Sequence, residues 1–236
     1  MSQTKLSLLG VVFLASLLFA SPAVADIEDG LLGHWTLDDG VADPGTTIVA
    51  DSVGDHHGTL MNGPGWADSV PDYGGALSFD GGDDFVEIPH SDDLTFTASD
   101  SYTVAAWVNV TSLPGQWTGI VTKSRDTDAD DWYGLWINPS NQWHFAGGGD
   151  GSRRVEYGTV TTGWRHLAGV YDADAATLKL YEDGELLGQN SGTIVTIGAG
   201  DLWIGGAKSV SEYLNGAVDD VRIYNRALSE EEIVEL

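Results

Sequence analysis

From Tyr102 to Val110 the chain reads Tyr-Thr-Val-Ala-Ala-Trp-Val-Asn-Val. In an extended chain successive side chains point to opposite faces. Val104, Ala106 and Val108 therefore share one face, and Ala105, Trp107 and Asn109 share the other. This two-residue period, repeated in short steps, constrains the chain more than any other feature. Helical periodicity is nearly absent, and 31 glycines among 236 residues supply the punctuation. Candidate strands are Leu32–Leu37, Gly75–Phe79, Phe85–Ile88, Tyr102–Val110, Gly119–Lys123, Tyr133–Asn138, Gln142–Ala146, Arg154–Thr159, Arg165–Tyr171, Thr177–Glu182, Glu185–Gln189, Leu202–Ile204 and Gly216–Tyr224. So many short strands joined by close turns form two large antiparallel sheets packed face to face.

The turns support this reading. Asp183-Gly184 stands between two strand patterns, a strong hairpin signal. Asp80 opens the turn Asp80–Asp84, where its side chain is expected to bond the turn's own N–H groups. Ser229 with Glu232 three residues on is a capping box, with Glu230 and Glu231 suited to a helix N-terminus. The chain therefore ends in a short helix. No repeat or linker divides it, and residues 26–236 read as one domain.

The first 25 residues read differently. Lys5 precedes an apolar run from Leu6 to Ala20, and Ala23-Val24-Ala25 is a small-residue cleavage site. This is the pattern of a secretory leader, cut near Ala25, and the run falls short of the ~20 residues that span a membrane. The expected location is extracellular or periplasmic, with no membrane insertion after cleavage. Cysteine is absent, so no disulfide or lipid anchor is available and stability must come from a large core or a metal. The net charge is −26, which excludes nucleic acid and anionic membranes as natural partners.

Four stretches together resemble the laminin-G-like, concanavalin A-like jelly-roll domains of exported bacterial proteins. They are Gly33–Asp38 (GHWTLD), Ala76–Val86 (ALSFDGGDDFV), Gly163–Ala168 (GWRHLA) with Tyr181–Gly184, and Val218–Ser229 (VDDVRIYNRALS). The resemblance spans Gly33 to Ile233. It implies an all-β, two-sheet antiparallel jelly-roll sandwich with a short C-terminal helix. It also implies carbohydrate binding or adhesion, often with a bound calcium. A fold of this kind hosts many functions, so the site must carry the argument.

In a regular strand Asp219 shares a face with Val221 and Ile223, and a core carboxylate needs a partner or a metal. Asp220 would then face solvent or pair with Arg222. The loop Ala50–Pro64 supplies further oxygen donors. Asp51, Asp55, the carbonyl of His57 and Asp219 form a candidate calcium set, since calcium takes about six to eight oxygens. In the domains resembled, such a loop and the terminal-strand Asp look like a matched pair, although Val53 stands where Gly is common. The other reading is that Asp51 and Asp55 make Asx-turns and Asp219 accepts backbone N–H bonds. Zinc is disfavoured, because His56 and His57 are adjacent and no Cys is present. Asp126-x-Asp128-x-Asp130-Asp131 resembles the opening of a calcium loop but lacks its later ligands, and reads as a solvated hairpin tip.

The chain has nine Trp. Trp35, Trp107 and Trp164 lie among apolar neighbours and read as core. Trp132 and Trp136 lie opposite Tyr133, Leu135 and Ile137. His144 alternates with Trp143 and Phe145, and Arg153 and Arg154 follow. Trp132, Trp136, His144 and Arg153 therefore form a candidate glycan face, since sugar C–H faces stack on aromatic rings and hydroxyls need polar edges. No paired-carboxylate strand motif such as Glu-x-Asp-x-Glu occurs, and no Gly-x-Ser-x-Gly elbow. The leading expectation is a secreted, non-catalytic binding module for a glycan or extracellular polymer. A protein–protein adhesion domain is the alternative, and a divergent glycoside hydrolase the third. The sequence leaves oligomeric state open.

Overall fold

The computed structural model describes residues 26–43, 45–70, 73–124, 131–149, 151–207 and 211–236. The candidate leader, and Asp126, Asp128 and Asp130 of the acidic stretch, lie outside the described residues.

Among the described residues sixteen strands and two α-helices follow in order: β1 (Leu31–Trp35), α1 (Asp39–Ala42), β2 (Ile48–Val49), β3 (Gly58–Met61), β4 (Gly65–Asp68), β5 (Gly75–Asp80), β6 (Phe85–Ile88), β7 (Tyr102–Val110), β8 (Thr118–Lys123), β9 (Tyr133–Ile137), β10 (Trp143–Gly147), β11 (Arg154–Tyr157), β12 (Gly163–Asp172), β13 (Thr177–Glu182), β14 (Glu185–Ser191), β15 (Leu202–Ile204), β16 (Asn215–Tyr224) and α2 (Glu230–Glu235). One sheet runs β14-β13-β12-β7-β16-β5-β4, with β1 also paired to β16; the other runs β11-β10-β9-β8-β15-β6-β3-β2. All pairings are antiparallel. The expected two-sheet jelly-roll sandwich with a C-terminal helix is what the chain forms.

The alternation in β7 decides where the core lies. Val104, Ala106 and Val108 face inward with Leu167, Val218, Val221 and Ile223. Ile120, Leu135, Ile137, Phe145 and Leu202 meet them from the other sheet. Burying each such side chain contributes about 1.5–3 kcal/mol before chain entropy is charged against it. The outer face of the first sheet has its own apolar strip, Ala105, Ala168, Val170, Tyr181 and Tyr224, covered by Leu228, Ile233 and Leu236 around α2. The capping box starts α2 as expected: Ser229 Oγ accepts from Glu232 N–H at 3.3 Å and Glu232 Oε2 accepts from Ser229 N–H at 2.7 Å. Arg226 donates to the same Glu232 at 2.7 Å, tying the helix to the loop before it.

Three expectations need correction. First, β2, β3 and β4 were not visible as strands, being short segments of two to four residues interrupted by Gly and polar side chains. Second, Asp219 does not share the face of Val221 and Ile223. The pairing of β16 with β7 shifts between Asp219 and Arg222, and Asp220 sits at φ 47°. This bulge adds one residue, so Val218 and Val221 both point inward while Asp219 stands opposite the outward-facing Trp107. Third, only Trp35 of the three proposed core tryptophans belongs to the core between the sheets. Trp107 and Trp164 are half-buried on the outer face of the first sheet, with His166 across from Trp107.

Candidate functional site

The outer face of the second sheet carries an aromatic slot. β9 turns Tyr133, Leu135 and Ile137 into the core, so Trp136 and the preceding Trp132 face out. β10 does the same with Trp143 and Phe145 inward and His144 outward, directly across from Trp136. The rings meet edge to face: Trp132–Trp136 at 4.8 Å, Trp117–His144 at 4.9 Å and Trp136–His144 at 5.9 Å between centroids. With Gly149, Arg154 and Glu212 they line a cavity of about 210 Å³. Trp132 and Trp136 are buried, and Trp117, just before β8, is the more accessible indole.

The polar groups of the slot are ordered. Glu212 Oε2 accepts from Trp136 Nε1–H at 3.2 Å. His144 Nδ1 lies 3.2 Å from Glu156 Oε1, its cross-strand neighbour on β11. Burial pushes the His144 pKa down to about 4 against the pull of Glu156, with Arg154 adding to the fall. The ring is therefore neutral at pH 7. Nδ1–H donates to the carboxylate, which leaves Nε2 as an acceptor. That Nε2 is buried and has no hydrogen-bond partner.

The candidate calcium donors fall into different networks. Asp51 Oδ1 accepts N–H bonds from His34 (3.0 Å) and Val53 (3.1 Å), and Oδ2 accepts from His56 N (3.2 Å) and lies 3.0 Å from His56 Nδ1. Burial opposes the charge, but these bonds outweigh it and hold the Asp51 carboxyl below its usual pKa. His57 Nδ1 accepts the Asp51 N–H, while Asp55 is exposed. Asp219 accepts from Ser69 Oγ–H and, at 2.7 Å, from the Asp220 N–H. Burial raises its pKa to about 7; the Ser69 and Asp220 N–H bonds oppose the rise, and the Asp220 and Asp38 carboxyls add to it. Asp220 does pair with Arg222, at 3.0 Å, but is buried and also lies 2.6 Å from His34 Nε2. Among the described residues no group of three or more His, Cys, Asp or Glu is placed to hold a metal ion. Asp51 and Asp219 thus lie in separate hydrogen-bond networks.

The profile of the laminin-G-like family, described as the concanavalin A-like lectin/glucanases superfamily, matches residues 80–234. The chain belongs to this superfamily. No curated protein sequence matches it. Among solved structures it is similar to domain 4 of AbnA, a GH43 extracellular arabinanase from Geobacillus stearothermophilus, in complex with arabinotriose. The identity is 20%, the TM-score 0.65, and 87% of this chain covers 97% of that one. The binding domain of Paraclostridial Mosquitocidal Protein 1 superposes with TM-score 0.69 at 13% identity, over 89% of this chain and 52% of that one. Trypanosoma rangeli sialidase in complex with sialic acid gives TM-score 0.61 at 21% identity, and the chain, 86% covered, spans 32% of its length. At these identities the likeness is one of fold.

Within this superfamily fold the structure gathers three of the four expected glycan-face residues, Trp132, Trp136 and His144, and departs at the fourth. Arg154, not Arg153, lines the slot. The register explains this: Arg154 stands across from Ala146, two residues along β10 from His144 and so on the same face, while Arg153 ends the short helical turn before β11. Trp117 and Glu212 were missed. Both lie at the ends of loops, where no alternation marks their direction, and only the excess of Trp hinted that one more indole was available.

Proposed function

We propose that this chain is an exported, non-catalytic carbohydrate-binding module whose aromatic slot takes one ring of a neutral glycan. The reading rests most on His144 Nε2, a buried acceptor without a partner between the indoles of Trp117 and Trp136. A sugar hydroxyl donates to such an atom, and the indole faces take the ring's C–H groups. Glu212 and Arg154 line the same slot. The acidic chain disfavours anionic polysaccharides, and the arabinotriose bound by a domain of similar fold supports a neutral sugar as first probe. Export rests on the leader-like first 25 residues. Among the described residues no helix is long and apolar enough to cross a membrane.

A structural calcium on Asp51, Asp55, the His57 carbonyl and Asp219 is a separate proposal, and it requires these oxygens to be brought from separate networks to one ion. Titration calorimetry with arabinotriose, and with trisaccharides of xylose, glucose and galactose, tests the sugar reading. Trp117→Ala is expected to weaken the best of them at least tenfold, about 1.4 kcal/mol. Equal affinity in wild type and variant would remove the slot from the account. Release of reducing ends from the same sugars would replace binding by hydrolysis.

A further inference from the structure

The opposite face of the molecule holds a second aromatic groove. Its cavity is about 500 Å³ and lies on the outer face of the first sheet beside α2. Trp107 on β7 and His166 on β12 are cross-strand partners with ring centroids 5.4 Å apart at 58°. Tyr73 meets Trp107 from the loop before β5, at 5.6 Å and 60°. Trp164, two residues before His166 and on the same face, extends the floor. Both indoles are half-buried, so they form the wall of the groove rather than core.

The polar groups here have a definite character. His166 makes its internal hydrogen bonds through its backbone, the N–H to Asp183 Oδ1 at 2.9 Å and the carbonyl from Asp183 N–H at 2.8 Å. Its ring lines the groove. Burial lowers its pKa to about 4, so at neutral pH the imidazole offers one donor and one acceptor. The Trp107 indole N–H is buried with no partner. Arg165 Nε lies 3.4 Å from Glu182 and 3.7 Å from Asp183, and Glu235 at the end of α2 adds a carboxylate to the lining.

These features select a ligand. The acidic chain disfavours an anionic one, and Asp183 is already paired with Arg165 rather than free for a cation. An added peptide strand needs free backbone groups at a sheet edge, but β7 and β12 are interior strands with both sides paired. Flat aromatic faces with neutral hydrogen-bonding edges suit a polyhydroxylated ring. We infer that this groove is a second carbohydrate site, separate from the slot and on the other sheet, so that one chain holds two neutral glycan strands at once.

The test is an indole N–H nuclear magnetic resonance titration of the wild-type protein with trisaccharides of arabinose, xylose, glucose and galactose. Trp107→Phe, Trp164→Phe and Trp117→Phe assign the signals. The expected result is that one sugar shifts the Trp107 and Trp164 signals, and does so equally in the Trp117→Ala variant. Trp164→Ala is expected to weaken that second event at least tenfold while leaving the Trp117 response unchanged. Shifts confined to Trp117 and its neighbours would overturn this inference and leave the slot standing. Shifts confined to Trp107 and Trp164 would uphold it and overturn the slot. Silence at Trp107 and Trp164 with all four sugars overturns it, whatever the variants do.

Discussion

At Asp219 the fold keeps under cover a carboxyl group that water would ionise. Its raised pKa, about 7 against an ordinary 3.8, has a definite sign in the stability. The group's contribution is complete below the ordinary value, and it is lost as pH rises toward 7, because the unfolded chain ionises first. Asp219→Asn cannot ionise. It is expected to be about 1–2 kcal/mol more stable than wild type at pH 8, with the difference vanishing near pH 4, read from thermal melts at both values. His144 works in the other direction on binding. Its Nε2 accepts only while the ring is neutral, so sugar affinity should be level from about pH 8 to pH 6 and fall as pH approaches 4, with circular dichroism confirming the fold at each point. The sequence marked both residues as unusual, but the direction of Asp219 could not be read from it. Alternation assumes a straight strand, and the bulge at Asp220 breaks that assumption by one residue.

Among the elements, most strands were legible, the edge strands β11 and β14 included, and β2, β3 and β4 were not. Tyr102–Val110, Phe85–Ile88, Thr177–Glu182 and Leu202–Ile204 fall where their patterns place them, because each buries one face against the other sheet. β2 and β4 lie at sheet edges and bury little, so no alternation marks them: β4 has no fully buried residue and β2 only Val49. The outward tryptophans were misjudged for a related reason. The outer face of the first sheet is partly covered by α2, so its apolar residues mimic a core pattern without being core. A single position inside β9 shows how closely the slot depends on its strand. Gly134 has φ +152°, and a Cβ there would lie 2.0 Å from the Val121 carbonyl oxygen. Gly134→Ala is expected to cost about 2 kcal/mol or more and to weaken sugar binding with it. Urea midpoints and titration calorimetry would check the two effects.

For the whole molecule, stability rests on the two-sheet core without disulfides. Thermal melts in calcium and in chelator check the proposed ion. A rise in midpoint with calcium that Asp51→Asn removes is the expected outcome, and one shared midpoint would remove the ion from the account. The overall architecture could be read from alternation, turn residues and four local motifs, since each of these is a property of nearby residues. The slot could be read in part, because Trp132, Trp136 and His144 lie on or beside consecutive strands; Trp117, Glu212 and the groove could not, because they come from loops and strands far apart in sequence. β16 draws the same separation into the folding order. It lies between β7 and β5 and also pairs β1, so the first sheet has a gap at its middle until residues 215–224 arrive. The strand that joins β5 to β7 is thus made long after both, so closing this sheet is a late, non-local step of folding.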